Sequence, residues 1–232
     1  MKTACSTRGV LGLLLASAAL VAAGCRDTTS GFYGQVYPIT TTSLELPPPA
    51  SAGDPCSEGI NTVPGGAPGY SFAEARACLH APLAQVWAAL QLPDAVDIAF
   101  YPDRVETPRC DAVVNVTSQY PVSFRLHHIP RTYSSFDYDV TWAEWVLLGT
   151  SAAPLEVAIS YNKTWGTAYI EHFQGSMLLK EVDGWTTIEA VRQIKAPQTN
   201  GQMMEGWLRD WFAAVQAQLA GTPVTATCPI TN

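Results

Sequence analysis

The chain has 232 residues, 47% hydrophobic and 14% charged, enough to bury one substantial core. Its formal net charge is −7 and it holds no Lys/Arg cluster, which excludes the electrostatic footprint of a nucleic-acid binder or of a protein drawn to anionic lipid by charge alone.

Lys2 and Arg8 lie in a basic start, Val10–Ala23 is an apolar run, and small residues lead into Gly24-Cys25, the organisation of a cleaved secretory signal. The ending Ala22-Ala23-Gly24-Cys25 resembles the lipobox of bacterial lipoproteins, with Ala22 where that motif usually carries Leu. The resemblance implies that residues 1–24 are removed and that Cys25 carries lipid and attaches the chain to a membrane. Arg26 is not the Asp that signals inner-membrane retention in some enteric bacteria, so the expected location is the outer membrane, facing the periplasm. The alternatives are an ordinary signal peptide cut near Ala23 or an uncleaved anchor, although the run is shorter than the ~20 residues of a spanning helix. Cleavage removes two basic residues and leaves 11 Lys and Arg against 20 Asp and Glu, a balance of −9.

Four further cysteines follow: Cys56, Cys78, Cys110 and Cys228. An even number in an exported chain favours two disulfides, for which three pairings are open. No two of them have the close spacing of a zinc knuckle.

Residues 25–70 change character. Pro47–Pro49, the Thr40–Ser43 run and Gly65-Gly66 interrupt any periodic apolar pattern, so a tether is expected there. Its aromatic stretch Gly31–Ile39 is either a sticky part of that linker or a contact for the domain or a partner.

The folded body is expected over residues 71–221, followed by a tail at 222–232. Phe72–His80 reads as a strand. Pro82 then sits where a helix tolerates its missing N–H, and Leu83, Val86, Trp87 and Leu90 recur at helical spacing. Pro93 ends this helix and Asp94–Phe100 suits a second short one. Six segments of period two follow, at about 105–118, 121–130, 134–148, 155–164, 167–182 and 186–196, with Asn162-Lys163, Trp165-Gly166 and Asp183-Gly184 as hairpin connections. The chain closes with a long helix. Thr199 and Gln202 fit a capping box, Met204, Trp207, Leu208, Trp211, Phe212, Val215 and Leu219 form its apolar stripe, and Gly221 and Pro223 end it.

Three places resemble the START/Bet v 1-like superfamily, also called SRPBCC or polyketide cyclase-type: Ala81–Leu90 at the entry to the first helix, His172–Leu179 through Gly184-Trp185-Thr186 in the penultimate strand and hairpin, and the final amphipathic helix. The resemblance covers roughly residues 71–220. It implies an α+β helix-grip fold, a curved antiparallel seven-stranded sheet wrapped around the C-terminal helix, with two short helices after the first strand. It also implies an internal pocket for an apolar ligand. Phe124, His128, Tyr138, Trp142, Ile159, Tyr161, Ile170 and His172 stand on the expected concave faces, and Met204, Trp207, Leu208 and Trp211 on the inward side of the helix. In the resembled topology the end of the first strand lies beside the start of the second, which implies Cys78–Cys110 and leaves Cys56–Cys228 to join the tails.

His127 and His128 are adjacent on a strand and face opposite sides. His128 with His172 and Glu144 or Glu171 makes an acid/base or metal cluster only if the fold brings them together. No G-x-S-x-G, H-E-x-x-H or phosphate-cradling glycine loop occurs, and no motif calls for a cofactor. Three readings stay open: a noncatalytic binder of a lipid or other hydrophobic molecule, a cyclase-like or hydrolytic enzyme, and an interaction lipoprotein with a filled core.

Overall fold

The computed structural model describes residues 35–91, the backbone of 109–111, and residues 120–128 and 138–222. The strands are β1 (Gly59–Ala67), β2 (Tyr70–Leu79), β3 (Arg109–Asp111), β4 (Val122–His128), β5 (Tyr138–Thr150), β6 (Ala153–Gly166), β7 (His172–Val182) and β8 (Trp185–Lys195); the helices are α1 (Leu83–Leu90) and α2 (Gly201–Leu219). All neighbours pair antiparallel, in the order β1-β2-β8-β7-β6-β5-β4-β3. Seven strands, β2 to β8, with α2 against them make the expected helix-grip arrangement. An additional strand, β1, extends its edge, and the second short helix expected at Asp94–Phe100 lies outside the described residues.

The alternation that betrayed the strands also divides the sheet into two faces. Ala73, Ala75, Ala77 and Leu79 of β2 turn inward with Ile188 and Ala190 of β8, Met177 and Leu179 of β7, and Val157 and Ile159 of β6. The alanines on β2 leave room for α2, which packs on β1 and β2 through Met204, Leu208, Trp211, Phe212 and Val215. α1 starts at Pro82, as its fixed φ allows, and packs against α2. The α2 cap differs from expectation. Asn200, not Thr199, is the N-cap and accepts from Met203 N–H at 2.9 Å, while the Thr199 hydroxyl donates to the Ala196 carbonyl. At the other end Gly221 has φ +77°, and the Gly221 and Thr222 amides donate to the Gln218 and Ala217 carbonyls, which closes the last turn.

Two expected hairpin connections are not turns: Asn162-Lys163 and Trp165-Gly166 both lie inside β6, and the β5–β6 turn is Ser151-Ala152, between the paired Thr150 and Ala153. Asp183-Gly184 does make a hairpin, with φ of 52° and 84° at its two central residues, the conformation whose twist suits flanking strands.

The expected tether is largely part of the body. Gly65 lies directly under the Phe72 ring across the β1–β2 pair, where a Cβ would meet the ring at 2.2 Å, and a Cβ on Gly201 at the start of α2 would meet the Gly65 carbonyl oxygen at 2.5 Å. Gly65, which suggests a linker, therefore serves a close contact, and Pro64 is tolerated because β1 is an edge strand. Upstream, residues 37–48 cross the outer face as a strap. Tyr37 N–H donates to the Ser176 hydroxyl at 2.8 Å, the Thr40 and Thr41 amides donate to the Glu74 carboxylate at 2.7 and 2.9 Å, and Leu44 is buried.

The disulfide is Cys56–Cys78, which overturns the expected Cys78–Cys110 and Cys56–Cys228 pairings. β2 and β3 sit at opposite sides of the strand order, with five strands between them, so the end of one does not neighbour the start of the other. Cys78 lies opposite Gly59 and faces outward, where Cys56, three residues before Gly59, returns over it with Cα atoms 6.1 Å apart. The side chain of Cys110, and Cys228, lie outside what is described.

Candidate functional site in the concave face

The concave face is organised as cross-strand rungs. The central one runs Phe124, Trp142, Tyr161, Gly175, Arg192 and Ala73 from β4 to β2, each paired in register with the next. Phe124 and Trp142 stack with centroids 5.8 Å apart, Trp142 and Tyr161 at 4.2 Å, and Tyr161 meets Phe173 at 5.8 Å. The smallest residue stands beside Tyr161 for a reason: a Cβ on Gly175 would lie 2.2 Å from the Tyr161 hydroxyl. Gly175 thus lets the phenol lie flat across the neighbouring strand.

The expected lining residues divide three ways. Phe124, His128, Tyr138, Trp142, Ile159, Tyr161, Ile170, Met204, Leu208 and Trp211 are buried in the interior. His128 stacks on Tyr138 at 4.8 Å, extending the aromatic array toward the end of the sheet, and Tyr138 meets Phe173 edge-on. Trp207 is half-buried on the flank of α2, beneath the Arg192 guanidinium. His172 is exposed, on the outer face of β7 beside Tyr70, so it does not join the others. The hydrogen-bonding parity of β7 sends Phe173 inward in its place. His127 faces outward as its position beside His128 requires, and bonds Asp139 at 2.6 Å. Glu171 pairs with Lys195 at the surface. The expected cluster of His128 with His172 and Glu144 or Glu171 therefore does not form: His172 and Glu171 lie outside while His128 and Glu144 are buried within.

Two charged residues sit within the apolar rungs. Glu144, fully buried on β5, follows Tyr138, Val140 and Trp142 on the inward face and accepts from Trp87 Nε1 of α1 at 2.6 Å through Oε2. Burial pushes its carboxyl up to about 8, against the opposing effect of the Trp87 hydrogen bond. Arg192 follows Ile188 and Ala190 inward on β8. Its guanidinium lies over the rings of Phe173 at 4.5 Å, Trp207 at 4.8 Å and Tyr161 at 5.7 Å. Burial raises the Tyr161 phenol's pKa, opposed by the charge of Arg192. The sequence singled out none of Arg192, Phe173, Gly175 and Trp87 as site residues; a charged residue at an inward apolar parity was the available signal for Arg192.

Among the described residues, Trp142 Nε1, Tyr161 OH, Trp211 Nε1 and Glu144 Oε1 in this interior are buried with no hydrogen-bond partner. Such atoms are ordinarily satisfied in native proteins, by protein, water or ligand. Both indoles are donors only, the phenol can donate, and a carboxyl neutral up to about pH 8 adds another O–H. The arrangement is an apolar, aromatic interior with unused donors at its centre.

The strand order and the C-terminal helix packed on the sheet make this a helix-grip fold. No family model and no curated protein matches the sequence. Among solved structures the chain is similar to the human StarD13 lipid transfer and protein localization domain, with 11% identity and a TM-score of 0.47 over 73% of this chain and 88% of that one. It is similar also to Ara h 8.0201, with 13% identity and a TM-score of 0.41 over 70% and 99% of the two chains. A third similarity is to the Zhui aromatase/cyclase from Streptomyces sp. R1128, with 14% identity and a TM-score of 0.40 over 74% and 100%.

Proposed function

We propose that this chain is an exported lipoprotein, held to the outer membrane by lipid on Cys25, whose helix-grip domain binds one hydrophobic small molecule or lipid noncatalytically in its interior. The observation that carries the binding reading is the set of unpartnered buried atoms on Trp142, Tyr161, Trp211 and Glu144 within a core that, Arg192 and His128 apart, is apolar and aromatic. A core meant only to be filled is more stable with apolar groups at such positions, whereas a ligand oxygen accepting from them relieves the desolvation each suffers. The favoured ligand is therefore an apolar molecule whose polar atoms are acceptors, such as a ketone, quinone or ester carbonyl. The noncatalytic reading is supported by the separation of His127, His172 and Glu171 on the outer surface from Glu144 inside, and by the distance of the interior His128, paired with Tyr138, six residues along β5 from Glu144.

Native mass spectrometry with solvent extraction, on the mature chain from an oxidising periplasm, tests the binding. An adduct that disappears in a folded Trp142→Arg variant is the expected result. A clean ligand-free mass from several preparations, with no uptake of added carbonyl-bearing apolar compounds, would favour the filled-core reading. The mass of Cys25 in the membrane-extracted protein tests the anchor separately.

A further inference from the structure

The β5–β6 hairpin carries an uncharged stretch of eleven residues, Trp145–Leu155, between Glu144 and Glu156. Leu147, Leu148 and Leu155 are 49%, 57% and 49% exposed, and among the described residues they are three of the four large hydrophobics left in solvent. Their concentration on one tip separates them from the scattered surface leucines of ordinary domains.

The ladder shows how they come to protrude. Val146 pairs with Val157 and Leu148 with Glu156, so Leu147 has no opposite residue. Leu148 with Glu156 is followed by Gly149 with Pro154, so Leu155 has none either. Two bulges, one per strand, thus re-aim leucines that a regular ladder would have held against its neighbours. Gly149 permits the second distortion: its φ is +93°, and a Cβ there would meet the Ala153 carbonyl at 2.5 Å. Behind the leucines Trp145 meets Tyr120 edge-on at 5.5 Å, giving the base of the tip two rings of the kind that sit at a membrane–water interface.

We propose that this hairpin enters the interfacial layer of a lipid bilayer, with Leu147, Leu148 and Leu155 as its apolar contacts. The bilayer itself is supplied by the membrane-tethered reading, on which the proposal rests. Geometry makes the two compatible. Tyr37 is fixed on Ser176. From there the sheet continues four residues along β7 to Lys180, and from its partner Glu156 three more to Ala153, about 25 Å to the tip at strand rise. Twelve positions separate Cys25 from Tyr37, a reach of at most about 40 Å. The lipid and the hairpin can therefore meet one membrane surface. A bilayer suits the tip better than a protein partner does, because it is a protrusion with no charged residue to fix a register. The hairpin also satisfies most of its backbone groups across its own ladder.

Flotation with phosphatidylcholine vesicles, with and without phosphatidylglycerol, tests this on the mature chain carrying Cys25→Ser. Binding to both vesicle types, unweakened by salt, is expected, because the chain is acidic and the contact apolar. Leu147→Ser and Leu148→Ser should each weaken binding about ten-fold, with unchanged thermal unfolding, while Tyr70→Ser should leave binding intact. Undiminished flotation of the leucine variants, no flotation of the parent chain, or binding confined to anionic vesicles and lost in salt would each overturn the proposal. So would leucine-dependent dimers in sedimentation equilibrium without vesicle binding. Absence of lipid on Cys25 in the native protein would sink the anchor reading, independently of the flotation result.

Discussion

Trp87 donates its indole N–H to the Glu144 carboxyl across 2.6 Å, tying α1 to the middle of the concave sheet. The bond uses one carboxyl oxygen and leaves the other buried without a partner. A carboxylate so placed is poorly solvated, which is why the group holds its proton up to about pH 8.

Stability should consequently fall with rising pH. The folded chain keeps a proton that the unfolded chain releases near the ordinary value of 4.5, so the folded state is favoured below that value and loses ground as pH rises through about 8. The loss attributable to Glu144 is on the order of a few kcal/mol. Glu144→Gln retains an acceptor for Trp87 and cannot ionise, so its urea midpoint should change less between pH 5 and pH 9 than that of the parent. Parallel pH profiles for the two proteins would mean that Glu144 is ionised, and therefore solvated, in the folded chain.

Cys56 and Cys78 close a loop with a sequence separation of 22, fastening the end of the strap to β2. Replacing both by Ser should remove about 3 kcal/mol of stability by restoring freedom to the unfolded chain. Peptide mapping without reduction should recover the Cys56–Cys78 linkage. A linkage of Cys78 to Cys110 would contradict the strand order on which the fold rests.

Glu74 holds the strap by accepting from the amides of Thr40 and Thr41 and from the Thr40 hydroxyl. Burial opposes its ionisation, but these hydrogen bonds outweigh burial and keep its carboxyl below the ordinary range. The contribution is thus present above the ordinary carboxyl value and is lost as pH falls through the lowered one. Glu74→Ala should cost about 1–3 kcal/mol and accelerate amide hydrogen exchange at Thr40 and Thr41 while sparing β6 and β7. Unaltered exchange at those two amides would show that other contacts hold the strap.

The legible parts of the fold were those written in a repeating period. Tyr138, Val140 and Trp142, or Leu208, Trp211, Phe212 and Val215, announce their elements because every step places an apolar side chain on one face. β1 was illegible because Gly65 answers to the Phe72 ring across the pair and to Gly201 at the start of α2, contacts that exist only once the chain is folded. Pairing likewise decides which cysteines meet, and composition holds no record of it. Most of the interior aromatics followed from strand parity, whereas His172 was misplaced because its neighbour Phe173 holds the inward position. The unpaired state of Trp142 Nε1 or Tyr161 OH exists only in three dimensions.

Tyr161 provides the sharpest separation between a binding interior and a filled core. Its hydroxyl is buried, without a hydrogen-bond partner, and is accommodated by the absence of a side chain at Gly175. If the residue served packing alone, Tyr161→Phe would remove a desolvated group and leave the protein as stable or slightly more so, with no other consequence. For a binding interior the same substitution should leave stability within about 1 kcal/mol and weaken a carbonyl-bearing ligand about ten-fold, the loss of roughly one hydrogen bond. Gly175→Ala should act through shape instead, displacing the phenol and destabilising the domain by about 1–3 kcal/mol. Calorimetric titration of an apolar ketone and of the hydrocarbon of matching shape into the parent and Tyr161→Phe proteins decides between the two. A preference for the ketone that shrinks in the variant supports binding through the phenol, and equal affinities for both compounds in both proteins would refute it.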